Sequence, residues 1–214
     1  MSKPFIHPER DLRRKEVCGH EIAALLNPRL AVLVSCCDQT GKPNILSVAW
    51  HSPLSHEPPL VGIAIHHRRY SHDLIQAEHE FVVNVVGMAF EGAVQICGSY
   101  SGASIDKAKL AGLSFSPART VRPPYLSSAL GHLECRVWGE VPAGDHTLFI
   151  GQVLFAEALE ACFDTCWDPP NADVLLCLQR DRLVTMSGGK ALPQGSGSAE
   201  ESANRDLKEL ICQP

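Results

Sequence analysis

Short apolar runs of strand length, separated by turn-forming segments, constrain the fold of this chain more than any other feature. Residues 30–35, 44–50 and 60–65 are apolar and rich in β-branched side chains, and the segments 38–43 and 53–59 between them are rich in polar residues and proline. Runs of this kind predict strands. We expect these three to form an antiparallel meander.

Four more strands are predicted further along the chain, at residues 81–86, 130–141, 147–159 and 174–178. The turn residues at 142–145 suit a hairpin between the two long ones. Roughly seven strands with short helices between them predict a mainly β fold, a closed or partly closed antiparallel barrel. A doubly wound dinucleotide-binding domain is excluded because no Gly-x-Gly-x-x-Gly motif follows a strand.

The predicted helices are short, and lie at 21–26, 71–77, 90–96 and 104–111. Ser71 and Ser104 are the expected N-caps of the second and the fourth, and a Gly/Ser-rich turn is expected at 98–102.

A chain of 214 residues can bury one sizeable core. We therefore predict an N-terminal arm with a short helix at 1–26, one barrel domain at 27–186 and a flexible tail at 187–214. The tail is poor in large apolar residues, rich in Gly and Ser, and ends in a predicted helix at 204–211.

Charge and hydropathy exclude two classes of partner. The net charge is -5 with a pI of about 6.0, so no overall basic field attracts nucleic acid. No apolar run approaches the roughly 20 residues that cross a bilayer, and the first residues lack the apolar stretch of a secretory signal. We expect a soluble, cytoplasmic protein without nucleic-acid or membrane partners.

The nine cysteines are scattered, and most lie within apolar runs. This favours small buried side chains in a reducing compartment over a disulfide framework. The pairs Cys36–Cys37 and Cys162–Cys166 stand out, but neither has a second ligand pair at zinc-site spacing. We predict no metal site.

The sequence resembles the flavin reductase-like, FMN-binding split-barrel family, which includes flavoredoxins and the small flavin reductase components of two-component monooxygenases. The resemblance runs from about residue 28 to 157 and rests on motifs in the family's order, at 41–44, 50–55, 58–61, 69–72, 81–84, 101–102 with Asp106 and Lys107, 133–136, and 144–153. It implies a six-stranded split barrel that forms a homodimer, with one FMN per subunit at or near the dimer interface.

The phosphate of FMN needs cationic or amide donors. Arg69, Ser71 and His72 are candidates because they stand at a predicted helix N-terminus, where free N–H groups attract phosphate. The resemblance adds Ser101, Gly102 and Lys107. The alternatives are that Ser71 only caps its helix and that Arg69 and Lys107 are solvated surface charges.

The resemblance places the isoalloxazine ring along an inner strand whose backbone N–H groups contact it. The candidates are Ser47, Val48, Ala49 and Trp50, with Ser52 and Ser55 in the following loop. Trp50 either walls the ring or fills the core. Asn84 is expected to bond the ribityl chain or the backbone, since an unpaired buried amide is unfavourable.

His146 is the candidate catalytic residue. In the reductases of the family the matching histidine faces the flavin, where it orients the nicotinamide dinucleotide or helps to protonate the reduced ring. The alternative is a turn histidine bonded to Asp145 or a carbonyl. The chain departs from the family pattern at Cys36–Cys37, at Gln152 and at His66-His67-Arg68, which adds positive charge beside the expected phosphate site.

The resemblance predicts an NAD(P)H-dependent FMN reductase, with NADH or NADPH as the electron donor. Two alternatives remain open at this point. One is a flavoredoxin-like carrier that passes electrons between protein redox partners, and the other is a binding or structural barrel that has lost flavin.

Overall fold

The computed structural model describes residues 13–19, 21–179 and 182–185. Its helices are short: α1 (Glu21–Ala24), α2 (Tyr70–Glu78), α3 (Glu91–Ser99) and α4 (Lys107–Leu110), with a 3-10 turn at Met88–Phe90. The strands are β1 (Arg29–Leu30), β2 (Val32–Cys37), β3 (Pro43–Val48), β4 (His51–Ser55), β5 (Leu60–His66), β6 (Glu80–Val85), β7 (Phe115–Ser116), β8 (Tyr125–Leu126), β9 (Gly131–Ala143), β10 (His146–Ala158), β11 (Leu175–Gln179) and β12 (Arg182–Thr185). The predicted mainly β class is confirmed.

Seven strands form one antiparallel sheet in the order β3-β2-β6-β9-β10-β5-β4. The predicted hairpin is confirmed as β9 and β10, which turn at Gly144 in the left-handed backbone region (φ +65°). The predicted meander is wrong, because β3 pairs with β2 while β5 pairs with β10 and β4. Hydrophobic alternation identifies the strands but does not encode which distant strand each one pairs with.

The core lies on both faces of the central strands. All six residues of β2 are buried. Val34, Ile63, Phe81 and Phe149 belong to one cluster, whereas Leu33 belongs to a second that includes residues of α3. A strand covered on both faces reads as a continuous apolar run.

Four strands were not predicted from the sequence: β4, β12 and the two-residue strands β7 and β8. β4 contains Pro53 and two serines and is largely exposed, so it has no apolar alternation. It lies at the edge of the sheet, where a proline removes no ladder hydrogen bond. The short β12 pairs with β11 in a separate three-stranded sheet with β1.

The helix boundaries correct both predicted caps. α2 begins at Tyr70 with Arg69 as N-cap, so Ser71 is its second residue. The N-cap of α4 is Asp106, whose side chain accepts from the Lys109 N–H, and Ser104 lies outside that helix. Asp serves as well as Ser at this position. α3 extends to Ser99, so the helix includes the start of the predicted turn at 98–102.

Within residues 13–19, 21–179 and 182–185, no helix is long and apolar enough to cross a membrane. The predicted arm up to residue 12 and the predicted tail with its helix at 204–211 lie outside the described residues.

Candidate functional site

A small cleft opens where the N-terminus of α2, the end of α3 and the segment before α4 meet β3. Twelve residues line it, and six of them are predicted site residues: Ser47, Arg69, Ser71, Ser101, Gly102 and Lys107. These come from four separate segments of the chain. The tertiary fold therefore collects most of the predicted phosphate side in one place.

Lys107 is the most unusual group in the cleft. Only 5% of the residue is exposed, which excludes the solvated-lysine alternative. Its Nζ donates to the Cys97 carbonyl oxygen at 3.4 Å. Burial lowers the pKa of Lys107, and the nearby Arg69 contributes to the lowering. A buried ammonium that depends on one carbonyl is poorly compensated.

Two arginines add to the positive charge. Arg68 and Arg69 both line the cleft, and the Arg69 guanidinium donates to the Gly98 carbonyl oxygen at 3.0 Å. In the described part of the chain, none of the three cations has a carboxylate partner within salt-bridge distance. An anionic ligand would supply the missing charge.

The N-terminus of α2 also opens on the cleft. Its N-cap Arg69 makes no side-chain cap hydrogen bond, and Tyr70 and Ser71, the first helical residues, line the cleft. The first N–H groups of a helix have no intrahelical acceptor and carry the positive end of the helix dipole. This end of α2 is therefore suited to a phosphate.

The cleft holds about 70 Å³, whereas pockets for whole cofactors usually hold roughly 300–1,000 Å³. It is large enough for a phosphate-sized group only. The remainder of a larger ligand must lie beyond the cleft, against other surfaces.

A second cluster, of aromatic and titratable side chains, surrounds His146. Its ring stacks on Trp50 with the centroids 4.8 Å apart, and its Nδ1 lies 2.6 Å from Asp145 Oδ1. Since an ionised carboxylate only accepts, Nδ1 carries the proton and Nε2 is the free nitrogen. This hydrogen bond lowers the pKa of Asp145. The hydrogen bond to Asp145 is the one expected of a turn histidine, but it also orients the ring.

Trp50 and His66 complete this cluster. Trp50 is 43% exposed, so the core-filling alternative is wrong. His66 lies 5.1 Å from the His146 ring, centroid to centroid, and its Nε2 is 3.6 Å from Asp145 Oδ2. The Arg68 N–H donates to His66 Nδ1 at 2.9 Å, so the segment 66–69 joins this cluster to the cleft.

The residues next to Trp50 differ in what they expose. Val48 is buried in the core, and Ala49 is half-buried. Within the described residues, the backbone N–H groups of Ala49 and Trp50 donate to no other group. They are therefore free to donate to a ligand.

Seven predicted cofactor contacts do not line the cleft: Val48, Ala49 and Trp50, described above, and His72, Asn84, Ser52 and Ser55. His72 is buried, with Nε2 2.9 Å from Thr147 Oγ1, so its ring faces β10. Asn84 is fully buried and bonds the backbone around it, donating to Leu33 O and accepting from Leu126 N. This matches the backbone alternative for Asn84.

Ser52 and Ser55 lie on β4, away from the cleft-lining residues, and their hydroxyls donate to nearby carbonyls of Pro53 and Glu57. Cys36 and Cys37 are also buried, and burial raises the pKa of both thiols, to about 11 for Cys36. Both thiols therefore stay protonated at neutral pH and behave as small apolar side chains of the core.

Six cleft residues are not among the predicted contacts, namely Leu46, Arg68, Tyr70, Cys97, Gly98 and Tyr100, although Arg68 was expected to add positive charge beside the phosphate site. Arg68 and Tyr70 were within reach, because they flank Arg69 in the sequence. Nothing local marks Cys97 or Tyr100, because the contact between the end of α3 and α2 is tertiary.

The chain is similar in sequence to several known proteins. An uncharacterized protein of Archaeoglobus fulgidus is 42% identical over 113 residues, which cover 53% of this chain and 64% of that protein, so the match spans less than two thirds of the relative. The reductase component of the FADH(2)-dependent resorcinol hydroxylase of a Rhizobium species is 25% identical over 61% of this chain and 71% of that one.

Among solved structures, an FMN-binding protein from Thermus thermophilus superposes with a TM-score of 0.73 at 23% identity, over 86% of this chain and 99% of that one. The two therefore share a fold, and the predicted split-barrel class is confirmed. A family profile described as the flavin reductase like domain matches residues 26–183. The chain therefore belongs to the flavin reductase-like domain family.

Proposed function

We propose that this protein binds FMN with the phosphate in the cleft and catalyses reduction of the flavin by NADH or NADPH. The observation that carries the proposal is the trio of Arg68, Arg69 and Lys107, which have no carboxylate partner among the described residues and which surround an open helix N-terminus. A dianionic phosphate monoester satisfies both features.

The residues divide between the two ends of the ligand. Lys107, Arg69, the Ser71 hydroxyl and the first N–H groups of α2 would hold the phosphate, with the turn at Ser101 and Gly102 beside them. The free N–H groups of Ala49 and Trp50 would donate to the ring, whose hydrogen-bonding positions tune its electronics. When bound, FMN supplies the two-electron chemistry, since its ring accepts a hydride from reduced nicotinamide.

His146 would act on the dinucleotide side. Asp145 holds the ring through Nδ1, and Trp50 supports one face of it. Nε2 is then oriented to bond the dinucleotide or to donate a proton when charged. Hydride transfer itself depends on position, so the main contribution of this cluster is to orient the donor.

We also propose that the site is completed in a homodimer. The cleft of one chain accommodates only a phosphate-sized group, so the ring needs a further wall. A second copy of the chain would supply that wall.

The test begins with the purified protein, loaded with FMN and freed of excess flavin, under anaerobic conditions. Addition of NADH and then of NADPH should bleach the flavin absorbance within seconds with at least one of them. Absorbance bands that persist with both donors but disappear when a reduced protein partner is added would identify an electron carrier and contradict the reductase proposal. No retained or titratable FMN would overturn the flavin site.

A further inference from the structure

One polar side chain, that of Asn44, lies directly beneath the cleft and is not explained by the contacts described above. Asn44 on β3 is 7% exposed, and its Nδ2 lies 2.6 Å from Ser71 Oγ and 3.5 Å from Cys36 Sγ. Ser71 is 2% exposed and lines the cleft, whereas Asn44 does not. Asn44 thus lies behind Ser71 as seen from the cleft.

The hydrogen-bond inventory fixes what Ser71 can offer. The two amide hydrogens of Asn44 are directed to Ser71 Oγ and Cys36 Sγ. A serine hydroxyl has one proton, and an oxygen that accepts from an amide keeps that proton for another acceptor. With Asn44 donating to it, Ser71 keeps its proton for another acceptor. Cys36 Sγ is one acceptor within its reach, but a thiol sulfur accepts weakly, so an anion in the cleft would be the stronger acceptor.

Asn44 also contacts the other side of the cleft. A Cβ placed on Gly102 would lie 1.9 Å from Asn44 Oδ1 and 3.4 Å from Lys107 Cε. The carboxamide therefore occupies the space beneath the 101–102 turn, and only glycine fits above it. One side chain contacts both the N-terminal turn of α2 and the turn that precedes Lys107.

We propose that Asn44 is a positioning residue of the anion site, which orients the Ser71 hydroxyl toward the ligand phosphate and supports the Gly102 turn. This inference rests on the proposed phosphate site and adds to it a residue that does not itself line the cleft. It predicts that position 44 requires an amide. An aspartate there would accept the Ser71 proton and place a negative charge near the phosphate.

The test compares two ligands that differ only in the phosphate. FMN and riboflavin are titrated into the wild type, Asn44→Ala, Ser71→Ala and the double variant, and the ratio of the two Kd values is the readout. Asn44→Ala and Ser71→Ala should each lower the preference for FMN by about ten-fold, the effect of one lost hydrogen bond to a charged group. The double variant should lose much less than the product of the two single losses, because Asn44 acts mainly through Ser71.

Two further variants make the test specific. Asn44→Asp should lower the FMN preference by more than Asn44→Ala and leave riboflavin binding nearly unchanged. Ser35→Ala is the matched control, because Ser35 is a fully buried serine whose hydroxyl donates to Pro124 O, away from the cleft. It should leave the ratio unaltered even if it lowers the melting temperature.

The outcomes separate the two proposals. A wild type that binds riboflavin as tightly as FMN overturns the phosphate site and this inference with it. A wild-type preference that Asn44→Ala leaves intact, or losses that multiply in the double variant, overturns only the role of Asn44. If Asn44→Ala does not fold, Gly102→Ala provides the same test, since its Cβ displaces the carboxamide, and an unchanged ratio in that variant contradicts the inference.

Discussion

Replacing Lys107 with methionine should change stability and binding in opposite directions. Lys107 is 5% exposed, lacks a carboxylate partner among the described residues and bonds only one carbonyl. Its ammonium therefore destabilises the flavin-free protein. Methionine has a similar length and no charge, so Lys107→Met should stabilise that state while it weakens FMN binding.

The magnitudes follow from what surrounds the side chain. Replacing a buried ion pair with well-packed apolar groups of similar volume often stabilises a protein, by roughly 1–4 kcal/mol, and we apply this range to the unpaired ammonium of Lys107. The low end, about 1 kcal/mol, applies here because the cleft is open to water. In a protein of this size, that raises the melting temperature by about 2–4 °C. Loss of a charged hydrogen-bond donor to the phosphate should raise the Kd for FMN by about 10- to 150-fold.

The pH dependence has a definite sign. Burial lowers the pKa of Lys107 below its ordinary 10.5, so between the folded and unfolded values the unfolded chain binds more protons. The destabilisation is complete below the folded pKa and is relieved as the pH rises toward 10.5. The stability gain from Lys107→Met should therefore be largest at neutral pH and shrink in alkaline buffer.

The assay pairs urea unfolding of the flavin-free protein with fluorescence titrations of FMN and riboflavin. Lys109→Met is the control, because Lys109 is exposed in the same helix and should change neither quantity. A Lys107→Met protein that is less stable than the wild type, with an unchanged FMN preference, would refute the reasoning. Lys107 would then be a structural residue of the α3–α4 contact.

Three other changes test separate parts of the structure. His146→Gln should slow anaerobic reduction of bound FMN by NADH or NADPH by about 100-fold, as measured by stopped-flow absorbance. The Kd for FMN should stay unchanged, because His146 does not line the cleft. A parallel loss of FMN affinity would contradict the assignment. Burial raises the pKa values of Cys36 and Cys97 from 9.0 to about 11, so the stability from each buried thiol is present below pH 9.0 and is lost as the pH rises toward 11. Urea unfolding should show a fall of about 1 kcal/mol per thiol between roughly pH 8 and 10, and Cys97→Ala should make the fall smaller; a wild-type profile that does not fall is the contrary result. Glu134→Gln should destabilise the protein by about 1–3 kcal/mol in urea unfolding, because the 1% exposed carboxylate accepts from both the N–H and the hydroxyl of Thr120. An unchanged unfolding midpoint would show that the amide makes up for the hydrogen bonds of the carboxylate.

The sequence by itself determined the local elements of this protein. Apolar runs with turn residues between them gave the positions of the long strands, and residues 142–145 identified the β9–β10 hairpin, because strand formation and a tight turn depend on neighbouring residues. The ordered motifs also identified the family, which the profile match at 26–183 confirms. The run from Arg69 to Ser71 was a recognisable phosphate-binding candidate because a helix N-terminus is a local feature.

Only the tertiary structure decided which of these elements meet. Pairing β5 with β10 places His66 opposite His146, and no local pattern in either segment encodes that partner. Burial is likewise a property of the assembled fold: Lys107 appears as one more surface lysine in the sequence, yet α3 covers it, and His72 turns away from the cleft to bond Thr147. Asn44 beneath Ser71 is the same kind of case, because hydrogen bonds between distant segments form only when packing brings their atoms within about 3 Å of each other.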